Sequence, residues 1–213
     1  MSWRRGRGYV SSRGETPRRW HQWLHVPRGR GGDVAALRRQ IAALTEEVGE
    51  LARLARMDPL TGLVNRRGWD EQLDRELAQA QRSGRPVSVA LLDLDGFKKF
   101  NDAHGHQAGD RLLVAAAAAW QGQFRDGDVL CRWGGDEFAA LLPDCSEGEA
   151  HEIIARVTST TPSLQSCAAG TAAWDGTETA DELVWRADAE LLKRKRANVE
   201  PWLYPQPGPD SQP

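Results

Sequence analysis

Leu91-Leu92-Asp93-Leu94-Asp95-Gly96-Phe97-Lys98-Lys99-Phe100-Asn101-Asp102 is the stretch whose reading decides the fold. It closes a run, Val87 to Leu94, that is apolar at nearly every position. An unbroken apolar run of that length reads as a strand covered on both faces. Asp93 and Asp95 end the run, and carboxylates there are costly unless paired or bound to a cation. Further along, Val129 to Arg132 and Phe138 to Leu142 read as two short strands. Trp133-Gly134-Gly135-Asp136 between them carries the glycines of a hairpin turn. A second acidic pair, Asp136-Glu137, belongs to that turn, and glycine lets backbone N–H groups approach an anion closely. If the two acidic clusters meet across neighbouring strands, their oxygens suit hard divalent ions. Magnesium beside a glycine-rich turn points to a nucleoside triphosphate. It also points to two-metal chemistry, in which one ion activates an attacking hydroxyl and both neutralise the displaced phosphate. On these residues alone a plainer reading stays open, in which the acids are simply exposed strand ends.

Outward from the strand, Ser83-Gly84-Arg85-Pro86 is a turn, and Trp69, Leu73, Leu77 and Ala80 before it mark one face of an amphipathic helix. Asp102 leads into a polar loop, followed by a helix from about Asp110 to Phe124. Residues 146–159 predict a helix, 164–172 a strand of small residues, and 179–196 a last long helix. This order predicts an α/β (α+β) domain over residues 57–200, with a mostly antiparallel central sheet flanked by helices. Asp58-Pro59 is expected to end the segment before it. There Val34, Leu37, Ile41, Leu44, Val48, Leu51 and Ala55 alternate spacings of three and four, an a/d seam over residues 34–56. A lone helix would leave that stripe wet. It is expected to pair with a second copy as a coiled coil; packing on its own domain is the alternative.

Apolar residues make up 40% of the 213, enough for a real core in one domain plus tails. The net charge of −2 hides an asymmetry, because residues 1–33 hold eight arginines against Glu15 and Asp33. The rest is acidic, which disfavours general nucleic-acid binding. The tail reads as a solvated, disordered arm, with RNA, DNA or anionic-membrane contact as the lesser alternative. Residues 201–213 are proline-rich and read as a second, extended or disordered tail. Cys131, Cys145 and Cys167 are odd in number and lack metal-ligand spacing, which suits buried thiols in a reducing compartment. There is no long apolar span and no signal-peptide pattern, so a cytoplasmic location is expected.

Four motifs occur in order over roughly residues 56–145. They are Asp58-Pro59-Leu60-Thr61-Gly62-Leu63-Val64-Asn65-Arg66-Arg67, then Asp93 through Asp102, then Gly105-His106-Gln107-Ala108-Gly109-Asp110, then Arg132-Trp133-Gly134-Gly135-Asp136-Glu137-Phe138. Together they resemble the GGDEF family of diguanylate cyclases. The resemblance implies a nucleotidyl-cyclase-like palm domain that condenses two GTP into cyclic di-GMP, releasing two pyrophosphates, as a homodimer. It implies two Mg2+ (or Mn2+) ions per active site, held by Asp93, the Leu94 carbonyl and Asp136. Asp136 would also accept the ribose 3′-hydroxyl proton, Glu137 support the metal site, and Lys98 stabilise charge on the phosphates. Asn101 and Asp110 would read guanine, His106 would lie near the nucleotide, and Gly134 and Gly135 would cradle phosphates. Asp95, Phe97 and Phe100 would shape the site or fill core.

Arg125-Asp126-Gly127-Asp128 matches the family's RxxD site for product inhibition, with Arg156 as a further arginine. The end of the chain departs from the family pattern ADxALYxAKxxGRN. Here Ala187-Asp188-Ala189-Glu190-Leu191-Leu192-Lys193-Arg194-Lys195-Arg196-Ala197-Asn198-Val199 keeps the phosphate-binding lysine as Lys195. The tyrosine is Leu192, the glycine Asn198 and the arginine Val199, with Arg194 or Arg196 as candidate substitutes. A non-enzymatic alternative is therefore a catalytically weak GGDEF module that binds GTP or cyclic di-GMP and signals through its helix.

Overall fold

A computed structural model describes the backbone of residues 31–162 and 165–203, and the side chains of 34–162 and 165–197. The expected basic tail and most of the proline-rich tail lie outside the described residues. The chain divides into two compact units at Val48/Gly49. Helix α1 (Gly31–Leu54) carries the predicted seam, and its large apolar side chains are exposed. It ends at Leu54, earlier than Asp58-Pro59. The chain then turns through Arg56, whose carbonyl accepts from Asn65 N–H at 2.8 Å.

In the second unit the expected mixed α/β architecture is present. Strand β1 (Val64–Asn65) leads into α2 (Arg66–Ser83). The Asn65 side chain caps α2 by accepting from Gly68 N–H, and Gly84 closes it in the left-handed conformation (φ 71°). Then follow β2 (Val87–Leu94), α3 (Phe97–His104), α4 (His106–Gln121), β3 (Val129–Gly134) and β4 (Glu137–Pro143). The last elements are α5 (Glu147–Ser159), β5 (Cys167–Ala173) and α6 (Ala180–Leu203). A Ser146/Glu149 capping box starts α5.

The sheet order is β1-β3-β4-β2-β5, all antiparallel except β1 with β3. β2 lies between β4 and β5 and is buried throughout, as its unbroken apolar sequence requires. Its side chains alternate between two cores. Ala90, Leu92 and Leu94 join Leu113, Ala116, Trp120, Ile154 and Val157 of α4 and α5. Val87, Val89 and Leu91 join Trp69, Leu73, Leu77, Leu183 and Ala187 of α2 and α6. A Cβ on Gly170 would collide with the backbone of Ala187 and Leu191, so a glycine in β5 lets α6 press onto the sheet.

Several expectations need correction. The polar loop after β2 is helical: α3 runs from Phe97 to His104, between Gly96 (φ 68°) and Gly105 (φ 82°). These glycines look like loop punctuation but serve as helix boundaries. Phe97 and Phe100 share one face of α3, but a helix of eight residues shows only two large apolar positions, too few to read as a period. α4 begins at His106 rather than Asp110 and ends at Gln121. β1, two residues long, was too short to show a strand period. In addition, β3 and β4 extend into the hairpin, leaving Gly135-Asp136 as its tip, with a bulge between Arg132 and Gly134. α6 runs to Leu203, past the expected tail boundary. Cys131 and Cys145 are buried, and burial pushes the thiols of Cys145 and Cys167 up to about 11 and about 12. All three cysteines are free.

Candidate active site

The two acidic clusters meet. Asp93 at the end of β2 faces Glu137 at the start of β4, directly opposite in the antiparallel register. Asp136 is the turn residue just before Glu137, and its carbonyl accepts from Leu94 N–H at 3.4 Å. Three carboxyl residues therefore belong to one edge of the β2–β4 pair. Asp93 is only 8% exposed. Burial pushes its carboxyl above the usual range, Asp136 and Asp95 add to the rise, and Lys195 opposes it. Glu137 is likewise raised by burial and then by Asp93 and Asp136, with Lys195 opposing and Asp188 of α6 adding further. Such an edge carries more negative charge than its surroundings offset, a fit for a divalent cation. Among the described residues no three His, Cys, Asp or Glu side chains are grouped to hold a metal. The expected set has only two carboxylates and a carbonyl, which agrees with magnesium's habit of keeping waters and substrate phosphates as ligands.

Lys195, expected on the phosphates, stands with its Nζ 2.5 Å from Asp93 Oδ2. α6 thus delivers a cation to the carboxylate edge. Arg194 on the same helix pairs with Glu190 at 3.5 Å and lines a groove with His151, Thr158 and Thr171 between α5 and β5. The side chains of Asn198 and Val199 lie outside the described residues, and Leu192 is exposed.

Asn101, on α3, is partly buried, and its Oδ1 has no hydrogen-bond partner. It presses on Gly109 of α4, where any Cβ would collide with it. The glycine preceding Asp110 is therefore needed to seat Asn101. Lys98, His106 and Asp110 are exposed on α3 and α4. Asp95 has a structural environment: Ser166 Oγ donates to its carboxylate at 2.7 Å, and Gln165 Nε2 donates to its carbonyl.

The hairpin tip is held by an arginine given no role at the sequence level. Arg132 donates from Nε and Nη2 to the Gly135 carbonyl at 3.0 and 2.8 Å, and from Nη1 to Asp58 at 3.2–3.3 Å. Asp58 also accepts from the Thr61 N–H and hydroxyl. Burial would raise the Asp58 carboxyl, but the Thr61 and Arg132 bonds outweigh it and hold it below the usual range. The first and fourth motifs are thus one structural unit. Gly135 itself adopts φ 54°, a left-handed conformation suited to glycine. Asp58→Ala leaves Arg132, only 15% exposed, without its counter-charge and is expected to cost about 2–4 kcal/mol. Urea unfolding at neutral pH checks this. Because the folded pKa is depressed, the wild-type advantage is fully present above the unfolded value of about 3.9. It is lost as pH falls from there through the folded value.

The two parts of the expected product site also come together. Arg125 Nε donates to Asp128 Oδ1 at 3.2 Å, and Arg156 Nη2 donates to the carbonyl of Gln123, two residues before Arg125.

A family model described as the diguanylate cyclase GGDEF domain matches residues 55–200, and these hold every element from β1 to β5 and α6 as far as residue 200. The chain belongs to the GGDEF family. Diguanylate cyclase DgcP of Pseudomonas aeruginosa is 33% identical over 174 residues, covering 77% of this chain and 26% of the relative. The chain spans about a quarter to a third of the length of such curated relatives. Among solved structures, diguanylate cyclase SiaD of Pseudomonas aeruginosa, in complex with its activator SiaC, superposes with a TM-score of 0.67 at 35% identity, covering 78% of this chain and 68% of that one. The coiled coil and GGDEF domain of DgcB from Caulobacter crescentus, in complex with c-di-GMP, gives 0.71 at 29% identity, over 78% and 94%. Within the GGDEF domain of this chain, the signature residues Gly134 to Phe138 are the tip and first residues of the β3–β4 hairpin.

Proposed function

We propose that the chain is a diguanylate cyclase that joins two GTP into cyclic di-GMP and releases two pyrophosphates. The observation that carries the reading is Asp93 opposite Glu137 across β2 and β4, with Asp136 at the hairpin tip. Asp93, Asp136 and the Leu94 carbonyl would hold two Mg2+ or Mn2+ ions, with Glu137 supporting them. Metals bound there would lower the pKa of the attacking hydroxyl and neutralise charge on the departing pyrophosphate. Asp136 accepts the 3′-hydroxyl proton. The freed oxygen bonds to the α-phosphorus of the facing GTP as the bond to pyrophosphate breaks, and the reciprocal step closes the ring. Asn101 and Asp110 orient guanine. The seating of Asn101 against Gly109, immediately before Asp110, supports their acting on one guanine. Lys98 and His106 flank the nucleotide from α3 and α4, Gly134 and Gly135 admit the phosphates, and Lys195 turns from Asp93 to the triphosphate.

Each domain holds one GTP, so two must face each other. The exposed seam of α1 supplies the link by pairing as a coiled coil in a homodimer, placed in the cytoplasm. No helix among the described residues is long and apolar enough to cross a membrane. Product returns to Arg125, Asp128 and Arg156 and slows the enzyme. The test is direct: protein incubated with GTP and magnesium yields cyclic di-GMP and pyrophosphate in a 1:2 ratio. Binding of GTP without turnover would leave the second reading, a catalytically weak GGDEF module acting as a binding and signalling protein. The altered end of α6 favours that reading.

Val199 stands where the family carries an arginine, and it cannot donate a hydrogen bond. A charge-assisted hydrogen bond contributes about 1.5–3 kcal/mol, or roughly 10- to 100-fold in affinity. Val199→Arg is therefore expected to lower the Michaelis constant for GTP more than it alters turnover. If Arg196 already fills the role, Val199→Arg changes nothing and Arg196→Ala weakens GTP binding instead. Arg194 is the poorer substitute, since it pairs with Glu190 and faces the α5 groove. Steady-state kinetics on the variants separates these outcomes.

A further inference from the structure

β4 ends at Pro143, and the next residue, Asp144, has φ 49°, the only non-glycine with positive φ among the described residues. This turn faces Arg125. Arg125 Nη2 donates to the carbonyls of Pro143 (2.6 Å) and Asp144 (3.2 Å), while its Nε is taken by Asp128. A guanidinium grips a phosphate or a guanine edge with two N–H groups on adjacent nitrogens. Both such edges of an arginine include Nη2, so Arg125 here offers only Nη1 freely. The Asp144 carboxylate meanwhile accepts from Arg85 Nη1 at 2.8 Å. Arg85 stands just before β2, whose first residue, Val87, pairs with Pro143. Two arginines thus converge on one short turn, and both are engaged by it.

We propose that Arg85 is a further arginine of the product site, and that its ion pair with the Asp144 carboxylate holds it back from the anionic product. The inference rests on the reading of Arg125 and Asp128 as the site for cyclic di-GMP. The product carries two phosphodiester charges and can be gripped by several arginines at once, and the Arg85–Asp144 pair is cheap to break. Both side chains are more than half exposed, and such pairs contribute little. The turn is secured independently of the Asp144 side chain. Cys145 N–H donates to the Pro86 carbonyl at 3.1 Å, and the buried Ser88 hydroxyl donates to the Cys145 carbonyl at 2.8 Å. Asparagine and glycine both tolerate the left-handed conformation, so either removes the charge and keeps the turn.

Calorimetric titration of the full chain with cyclic di-GMP tests the proposal. Asp144→Asn and Asp144→Gly are each expected to tighten binding about three- to fivefold, the size of one exposed ion pair. Adding Arg85→Ala to Asp144→Asn is expected to erase the gain, and raising salt to shrink it. The proposal is overturned if neither Asp144 variant binds more tightly, or if the gain survives Arg85→Ala. Arg125→Ala separates the two levels. If it weakens binding while the Asp144 variants bind like wild type, this inference alone fails. If Arg125→Ala leaves binding intact, the product site itself is misplaced and the inference falls with it.

Discussion

Asp136→Asn is expected to lower cyclic di-GMP production at least about 100-fold while the protein stays folded. The substitution keeps the shape of the side chain and removes its charge and its basicity. Loss of a single group aimed at developing charge costs about 100- to 1,000-fold in other enzymes, and Asp136 is assigned two roles, metal ligand and proton acceptor. The fold has no stake in the carboxylate. No hydrogen bond or ion pair is made by the Asp136 side chain among the described residues, and its link to β2 runs through its backbone carbonyl. Stability should even rise slightly. The Asp136 charge helps to push the carboxyls of Asp93 and Glu137 upward, so their ionised forms strain the folded state. An acid whose folded pKa is raised loses stability as pH climbs from its unfolded value through its folded one. Removing a neighbouring negative charge weakens that loss near neutral pH. Turnover with GTP and magnesium, read beside a thermal melt without metal, checks both halves. Near-normal production of cyclic di-GMP would remove Asp136 from the mechanism, and a collapsed melt would make it structural.

The site was legible in the sequence where its chemistry is carried by strand ends. A run such as Val87 to Leu94 has one plausible structure, and acids at its end have few reasons to be there. The meeting of Asp93 with Glu137 follows once β2 and β4 pair, since register is fixed by which faces are buried. The helices around the nucleotide were harder to read. α3 is only eight residues long, so its period has two large apolar positions to show itself, and its two flanking glycines imitate a loop. The Arg132–Asp58 tie was invisible because it joins residues 74 apart, and pairing of that kind leaves no local pattern. The same holds for the contact of Lys195 with Asp93, which depends on how far α6 slides along the sheet. Gly170, where a side chain would block that approach, is the one sequence trace of it.

Leu44→Glu is expected to convert a dimer to a monomer and to lower activity at nanomolar protein by about 100-fold or more, with recovery as protein concentration rises. On α1, Val34, Leu37, Ile41, Leu44, Val48, Leu51 and Leu54 are each 53–63% exposed. Seven large apolar side chains, Val34 to Leu54, on a helix of 24 residues make a stripe about 30 Å long. Spacings of three and four keep that stripe on one side, which is what a second copy of the same helix would cover. A glutamate at Leu44 faces its own symmetry mate across the seam, so each dimer acquires two like charges in an apolar interface. The link to activity is kinetic. If each turnover needs two GTP-loaded domains face to face, linked domains meet at an effective concentration near the millimolar range, and unlinked ones only at their bulk concentration. At nanomolar protein that difference is far larger than any change Leu44→Glu could make within one domain, and it vanishes when the bulk concentration is raised. Activity per molecule plotted against protein concentration is therefore flat for wild type and rising for the variant. Light scattering supplies the independent measurement. A wild-type monomer at micromolar concentration would show that the stripe does not pair chains, and a variant with low activity at every concentration would mean that the glutamate acts on the domain rather than on its assembly.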